Sequence, residues 1–252
     1  MKMTGNTVLI TGGGSGIGRA LAEAFHKLGN QVIISGRRHA ALAEVTAANP
    51  GMKSLTVDMS DKDSLKVLAA ELSSTYPKLN VVINNAGIMK LEDMKSAPDY
   101  LAVAEETIAT NLLGPIRLTA ALLPHLQRQP QAAILTVSSG LAFVPMVLTP
   151  TYSATKAAIH SYSMSLRRQL EGTAVDVIEI VPPYVQTTLM GDHQASDPMA
   201  MPLDEFIAEV MEILSTRPDA AEVVVERCKP LRFAAENGNL DGLFQAINSR
   251  NH

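Results

Sequence analysis

The stretch 7-TVLITGGGSGIGRALAEAF-25 decides the fold. Its first five residues make a short β-branched, apolar run, as expected of a parallel strand buried on both faces. Glycines follow, and then Ile17, Leu21, Phe25 and Leu28 recur at the spacing of one helical stripe, which Gly29 is placed to stop. A strand that feeds through glycines into a helix is the first half of a strand–helix–strand unit. Gly12, Gly16 and Gly18 stand in a G-x-x-x-G-x-G spacing, with Ser15 and Ile17 between them at the helix start. Glycines allow the tight turn and let backbone come close to a pyrophosphate. The helix N-terminus adds free N–H groups and the positive end of its dipole. A nucleoside-triphosphate loop is excluded, because Arg19-Ala20 replaces the Lys-Ser/Thr that holds phosphate and magnesium.

Outward from this stretch the pattern repeats. Further strands are expected at 31-QVIIS-35, 53-KSLTVD-58, 80-NVVIN-84, 132-AAILTVS-138 and 174-AVDVIEI-180, each apolar through its middle, with a last one at 222–226. Between them lie helical patterns: one opened by Asp61 and Asp63, a long one over 99–128 that Gly114-Pro115 should kink or break, and one over 152–170. Such alternation implies right-handed crossovers and a doubly wound, mostly parallel α/β sheet of the Rossmann type. No Pro/Ser-rich linker or internal repeat divides the chain, so residues 1–252 read as one domain, with residues 188–215 as a variable lid segment over the substrate. Ligands of such sheets sit at the carboxyl ends of the strands.

Composition narrows the class. Apolar residues make up 46% and charged residues 18% of 252 residues, which argues for a packed core. A net charge of -4 with scattered Lys and Arg argues against nucleic acid as a partner. Cys228 is the only cysteine, so no intrachain disulfide forms, as in a reducing cytosol. The apolar run before the first glycines is too short for a signal-peptide core, and no run of membrane-spanning length occurs. A cytoplasmic protein without a membrane partner is expected.

The second strand ends in 35-SGRR-38. An acidic residue there would hold a ribose 2′-hydroxyl and repel a 2′-phosphate, whereas the guanidinium forks of Arg37 and Arg38 suit the phosphate. NADP(H) is therefore favoured over NAD(H). The segment 151-TYSATK-156 puts Tyr152 and Lys156 four residues apart on one helix face. Such a pair is too common by chance to decide anything alone; its neighbours decide.

In order along the chain come the glycine loop at 11–18, Asp58, 84-NNAG-87, Asn111, the Ser138-Ser139 pair, Tyr152 and Lys156. In these motifs, spanning residues 7 to about 190, the sequence resembles the short-chain dehydrogenase/reductase family in its short single-domain branch. The resemblance implies hydride transfer between a nicotinamide cofactor and a carbonyl or secondary alcohol. It implies that Asp58 and the Met59 N–H meet the adenine, that Asn85, Ala86 and Gly87 pack on its ribose, and that Asn84 braces their loop. Val185 and Thr187 would hold the nicotinamide amide, and Lys156 the nicotinamide ribose. Tyr152 would be the acid/base, Ser139 a donor to the developing oxyanion, and Asn111 the holder of a water linking Lys156 to solvent. A homodimer or homotetramer follows from family habit. The whole pattern, tail included, is also similar to the DltE-like oxidoreductases encoded with bacterial cell-wall D-alanylation genes, which brings no substrate.

Elementary electrostatics makes a prediction for the pair. Unit charges about 4 Å apart at an effective dielectric of roughly 20 interact by about 4 kcal/mol, enough to lower a phenol by up to roughly 3 pKa units. Departures from the family are 182-PPYVQT-187, where Pro183 stiffens a loop and Tyr184 adds bulk, and a tail with an apolar stripe at Leu240, Leu243, Phe244 and Ile247. Leu141, Phe143, Val144, Met146 and Leu148, with Tyr184, Leu189, Met190, Met199 and Met201, are candidates for an apolar substrate wall or for ordinary packing. His160 and His193 read as structural, and no cluster has metal-ligand spacing, so no metal is expected. The Tyr-to-Lys spacing argues against an enoyl reductase, and the length against a two-lobed epimerase. The reading from another class is a catalytically silent dinucleotide-binding sensor or scaffold.

Overall fold

The computed structural model describes residues 1–95 and 99–249; the last three residues of the expected domain lie outside them. Seven parallel strands form one sheet: β1 (Thr7–Thr11), β2 (Gln31–Gly36), β3 (Lys53–Thr56), β4 (Leu79–Asn84), β5 (Ala132–Val137), β6 (Val175–Val181) and β7 (Glu222–Val224). Their order is β3-β2-β1-β4-β5-β6-β7. Strand order therefore runs outward in both directions from the β1–β4 pair. The crossovers on either side of that pair depart to opposite sides, which opens a crevice at its carboxyl ends.

Period-2 alternation builds two cores. Val8 and Ile10 of β1 and Val32 and Ile34 of β2 face one side, with Leu21 and Phe25 of α1 (Gly16–Lys27), Leu42 of α2 (His39–Ala48) and Phe206 and Val210 further on. Leu9 and Ile33 face the other, with Leu65 and Leu72 of α3 (Lys62–Thr75) and Leu118 and Leu122 further on. Burying each such Leu or Phe contributes about 1.5–3 kcal/mol. This is why β1 and β5 are buried at every position rather than at alternate ones. β3 departs from the expectation. It is shorter than residues 53–58 and half-exposed, because an edge strand has only one neighbour.

Asp61 caps α3, its carboxylate accepting from the Asp63 N–H (2.8 Å). Asp61→Ala should lower stability by about 1 kcal/mol, read as a shifted urea midpoint at unchanged slope. The long helix expected over 99–128 is continuous but not uniform. α4 (Tyr100–Ile108) and α5 (Gly114–Leu126) are joined by a π-helical turn at Ala109–Leu113. Pro115 therefore falls in the first turn of α5, where a missing N–H is tolerated, and the π turn absorbs the kink. Gly114 is required by contact: a Cβ there would lie 2.7 Å from the Met59 carbonyl oxygen.

Five helices follow among the described residues. α6 (Pro150–Gln169) packs between β5 and β6, with Leu166 in the second core. α7 (Asp192–Ala195) is short. α8 (Leu203–Thr216) lies on α1 through Phe206, Val210 and Leu214, so the later half of the 188–215 segment is core packing. α9 (Lys229–Arg232) follows β7. α10 (Leu240–Asn248) carries the apolar stripe of the tail and is tied by Asn248, which accepts from the Val147 N–H (2.8 Å) and donates to the Pro145 carbonyl (3.1 Å).

Candidate active site

The glycine loop leaves β1 and enters α1 with almost no room inside it. A Cβ on Gly18 would lie 2.4 Å from the Gly12 oxygen and 2.4 Å from Asn85 Nδ2, and one on Gly12 would lie 2.9 Å from the Ala86 Cα. The Gly12 and Gly13 N–H groups both donate to the Ser35 carbonyl, at 2.7 and 3.1 Å. A backbone without side chains thus forms the floor of the crevice at the start of a twelve-residue helix. That is the cradle a pyrophosphate needs, and the residues present fit a dinucleotide.

Thr11, which sequence reasoning passed over, joins the two strands at the crevice. Its hydroxyl accepts from the N–H groups of Asn85 (3.1 Å) and Ala86 (3.0 Å), while Asn85 Nδ2 donates to the Thr11 carbonyl (2.9 Å). The 84–87 loop is thereby held against the glycine loop. Asn84 reaches Thr119 through Nδ2 (3.4 Å), but its buried Oδ1 has no protein partner. Asn111, in the π turn, pins the same loop reciprocally: Oδ1 accepts from the Ile88 N–H (2.9 Å) and Nδ2 donates to its carbonyl (2.8 Å). Gly87 completes the junction, since a Cβ there would lie 3.3 Å from Asn111 Oδ1 and 3.7 Å from Lys156 Nζ.

Tyr152, Lys156 and Ser139 are all buried, and they share this wall. Lys156 Nζ lies 5.5 Å from the centroid of the Tyr152 ring and donates to the Val137 carbonyl at the end of β5 (2.8 Å). Ser139 follows β5 and accepts from the Leu141 N–H (3.1 Å). The expected lowering of the phenol does not occur in the protein itself. Burial pushes Tyr152 up, the Ser139 hydroxyl lowers it in part, and the result is about 12. Lys156 moves the other way: burial lowers it, the Glu179 carboxylate raises it, and the result is about 8. Coulomb's law between two side chains omitted the larger cost of ionising a phenol away from water. The sequence spacing of Tyr152 and Lys156 anticipated their proximity but not the direction of the shift, and the family resemblance placed Ser139 beside them.

Toward the β2 edge, Arg38 Nη2 donates to Ser15 Oγ (3.0 Å) beside the glycine loop, and Arg37 Nη1 lies 3.8 Å from Glu106. Lys90 pairs with the same carboxylate. Asp58 Oδ1 accepts from the Ser60 N–H (2.9 Å) and hydroxyl (2.7 Å). Burial pushes the Asp58 carboxyl up, but the two Ser60 hydrogen bonds and the Arg37 charge outweigh it and hold it below the usual range. Asp61, not Asp58, caps the next helix, which leaves Asp58 Oδ2 free of that duty.

Across the crevice, Gly16 faces Thr187, whose Cγ2 would lie 3.4 Å from a Cβ on that glycine. Gln194, a second residue without a sequence signal, is buried and holds this loop. Its Nε2 donates to the Val185 carbonyl (2.7 Å) and to Thr187 Oγ1 (3.1 Å), and its Oε1 accepts from the Met190 N–H (3.0 Å). Val185 also bridges to Met201.

The proposed apolar wall divides. Val144 and Met201 are buried in packing, Phe143 packs edge-on against His160, and Tyr184 ties its hydroxyl to Asp197 (3.0 Å). Leu141 and Met146 line a groove of about 420 Å³ with Val147, Ser153, Ala157 and Phe244; Tyr152 is not part of its lining. Leu189 and Met199 are exposed. One grouping escaped the sequence altogether: His160, Glu179 and Glu222, far apart in the chain, bring ligand-type atoms within 4.8 Å of one another.

Comparison with known proteins places this geometry. The sequence model of the family described as short chain dehydrogenase matches residues 6–198, well over half of the chain. The oxidoreductase DltE of Bacillus subtilis (strain 168), itself uncharacterized, is 42% identical over 253 residues, covering 99% of each chain. A short-chain dehydrogenase from Burkholderia cenocepacia J2315, solved in complex with NADP, superposes with a TM-score of 0.81 at 23% identity, covering 98% of this chain and 99% of its own. A short-chain dehydrogenase/reductase from Burkholderia phymatum, solved in complex with NAD, gives 0.80 at 21% identity and 96% of each chain. These solved structures establish the likeness of fold.

Proposed function

The chain belongs to the short-chain dehydrogenase family of oxidoreductases, and from that premise we propose that it passes hydride between a nicotinamide dinucleotide and a small carbonyl or secondary alcohol substrate. One observation carries the reading. Tyr152, Lys156 and Ser139 are buried together on the wall that Gly87 and Asn111 join to the glycine cradle. A silent sensor has no need to hold a phenol, an ammonium and a hydroxyl at one crevice.

The bound nicotinamide supplies or accepts the hydride. The chain does the rest. Gly12, Ser15, Gly16, Ile17 and Gly18 hold the pyrophosphate through backbone N–H groups and the helix dipole. Asp58 and Met59 meet the adenine, Asn85, Ala86 and Gly87 its ribose, and Val185 and Thr187 the carboxamide. Lys156 holds the nicotinamide ribose hydroxyls. Tyr152, whose phenol keeps its proton up to about 12, donates that proton to the substrate oxygen as charge develops there, and Ser139 Oγ donates a hydrogen bond to the same atom. Asn111, already anchored to Ile88, holds a water between Lys156 and solvent. NADP(H) is the preferred cofactor because no carboxylate stands at Gly36 and two guanidinium groups follow it. The substrate is apolar, the first half of the variable segment 188–215 lies beside it, and the working unit is a cytoplasmic homodimer or homotetramer. Among the described residues no helix is long and apolar enough to cross a membrane.

Titration with NADPH and with NADH tests the cofactor, and a panel of ketones, aldehydes and alcohols followed at the reduced-nicotinamide absorbance tests the reaction. NADPH should bind tighter. Arg37→Ala and Arg38→Ala should each weaken it by about tenfold or more, the cost of one charge-assisted hydrogen bond, and leave NADH nearly unchanged. Tighter NADH binding by the unmutated protein would remove the 2′-phosphate assignment. Binding of either cofactor with no turnover of any panel member would favour the sensor.

A further inference from the structure

Behind the candidate site, α6 presents Tyr152, Lys156 and His160 one helical turn apart. Facing them on β6 is Glu179, whose side chain has no solvent exposure. Its Oε2 accepts from His160 Nδ1 (2.8 Å), and its buried Oε1 has no hydrogen-bond partner. A buried carboxylate needs a nearby cation. We propose that Glu179 is a positioning residue, the buried counter-charge that keeps Lys156 an ammonium, with His160 as the hydrogen-bond partner that shares it.

The electrostatics agree. Lys156 is lowered by burial and raised by Glu179. His160 is raised first by its hydrogen bond to Glu179, against burial. The remaining charges around the cluster are accounted for. Glu222 on β7 accepts from Arg232 Nε (2.6 Å) and Nη2 (3.0 Å), Arg232 also holds Glu236, and Arg167 of α6 lowers Glu222 without touching Glu179. Arg232 sits 4.5 Å from the Phe143 ring, and Phe143 packs edge-on against His160 (4.7 Å). His160, Glu179 and Glu222 have the proximity of a metal centre, but Arg232 already occupies both oxygens of Glu222, so its cation is a side chain. Glu179 is then the one carboxylate of the cluster left to serve Lys156.

The proposed duty of Lys156 toward the nicotinamide ribose is a premise for the functional consequence, but not for the ionisation itself. The test is a ¹³C NMR titration of protein labelled at lysine Cε, with the Lys156 resonance assigned by its loss in Lys156→Arg. Glu179→Gln keeps the shape and an acceptor for His160 but removes the charge, and should lower the Lys156 midpoint by about one pH unit or more. His160→Gln removes the imidazole that shares Glu179 and should leave the midpoint unchanged or raise it. Opposite signs are not what loosened packing produces. An unchanged midpoint in Glu179→Gln overturns the proposal. So does a Glu179 Cδ shift that reports a protonated carboxyl at pH 7 in unmutated protein labelled at glutamate Cδ, a readout that needs no variant to fold. Zinc at one equivalent that moves the His160 and Glu179 signals together would also overturn it, in favour of a metal centre. NADPH affinity in Glu179→Gln should weaken at lower pH than in the unmutated protein. A shifted lysine titration with no dinucleotide binding in either protein leaves the counter-charge standing and removes the functional reading.

Discussion

Tyr152→Phe should slow turnover by roughly 10²–10⁴-fold while NADPH affinity stays nearly unchanged. The ring is buried on α6 and packs beside Lys156, and phenylalanine keeps that packing. Only the hydroxyl is lost. Ser139 Oγ retains its bond from the Leu141 N–H, so no new unpaired polar atom is created, and stability should move by less than about 1 kcal/mol. The phenol at about 12 is a proton donor at every physiological pH, which suits reduction. In oxidation it must lose its proton, and that direction should speed up as pH rises. Steady-state kinetics in both directions, calorimetric cofactor titration and a thermal melt on one preparation check all three statements. A variant that melts normally, binds NADPH and turns over at the parental rate would show that the proton comes from elsewhere.

Gly18→Ala should have the second large effect, and it acts on binding. The added methyl would meet the Gly12 carbonyl oxygen and Asn85 Nδ2, both at 2.4 Å. Neither can yield cheaply. Gly12 is held by its N–H to Ser35 (2.7 Å), and Asn85 Nδ2 by the Thr11 carbonyl (2.9 Å). Overpacking of this kind costs about 1–3 kcal/mol, and the relief available is to open the loop and tilt the start of α1. The seat for a pyrophosphate is then lost, so dinucleotide affinity should fall by roughly tenfold or more, the equivalent of that energy. A lower melting temperature with unchanged far-ultraviolet dichroism, together with weakened binding of both NADPH and NADH, is the expected pattern. Unchanged affinity would mean that the cradle is not where the cofactor binds.

The two substitutions probe different kinds of cause. Gly18 acts through sterics between residues whose order in the chain already implied their meeting. Tyr152 acts through an electrostatic environment that chain order did not reveal. Reading Tyr152 and Lys156 as an isolated charge pair gave the wrong sign for the phenol, because the ammonium donates to Val137 and both groups are out of water. Once burial is included, the same residues describe an acid whose neighbouring lysine itself titrates near 8.

The resemblance to a family supplied the candidates Asn111, Ser139, Tyr152 and Lys156; from the amino-acid order alone came the strand–glycine–helix opening, the parallel sheet and the position of the crevice. These follow from short-range causes: period-2 and period-3.6 burial, glycine sterics and helix caps act within a few residues of one another. Tertiary structure alone decided the half-exposed edge strand β3, the π turn that carries Asn111, and the bracing of the loops by Thr11 and Gln194. It also decided the grouping of His160 with Glu179, Glu222 and Arg232. Each of these depends on which distant segments exclude water from which atoms, and desolvation is a property of the folded neighbourhood that no local spacing encodes.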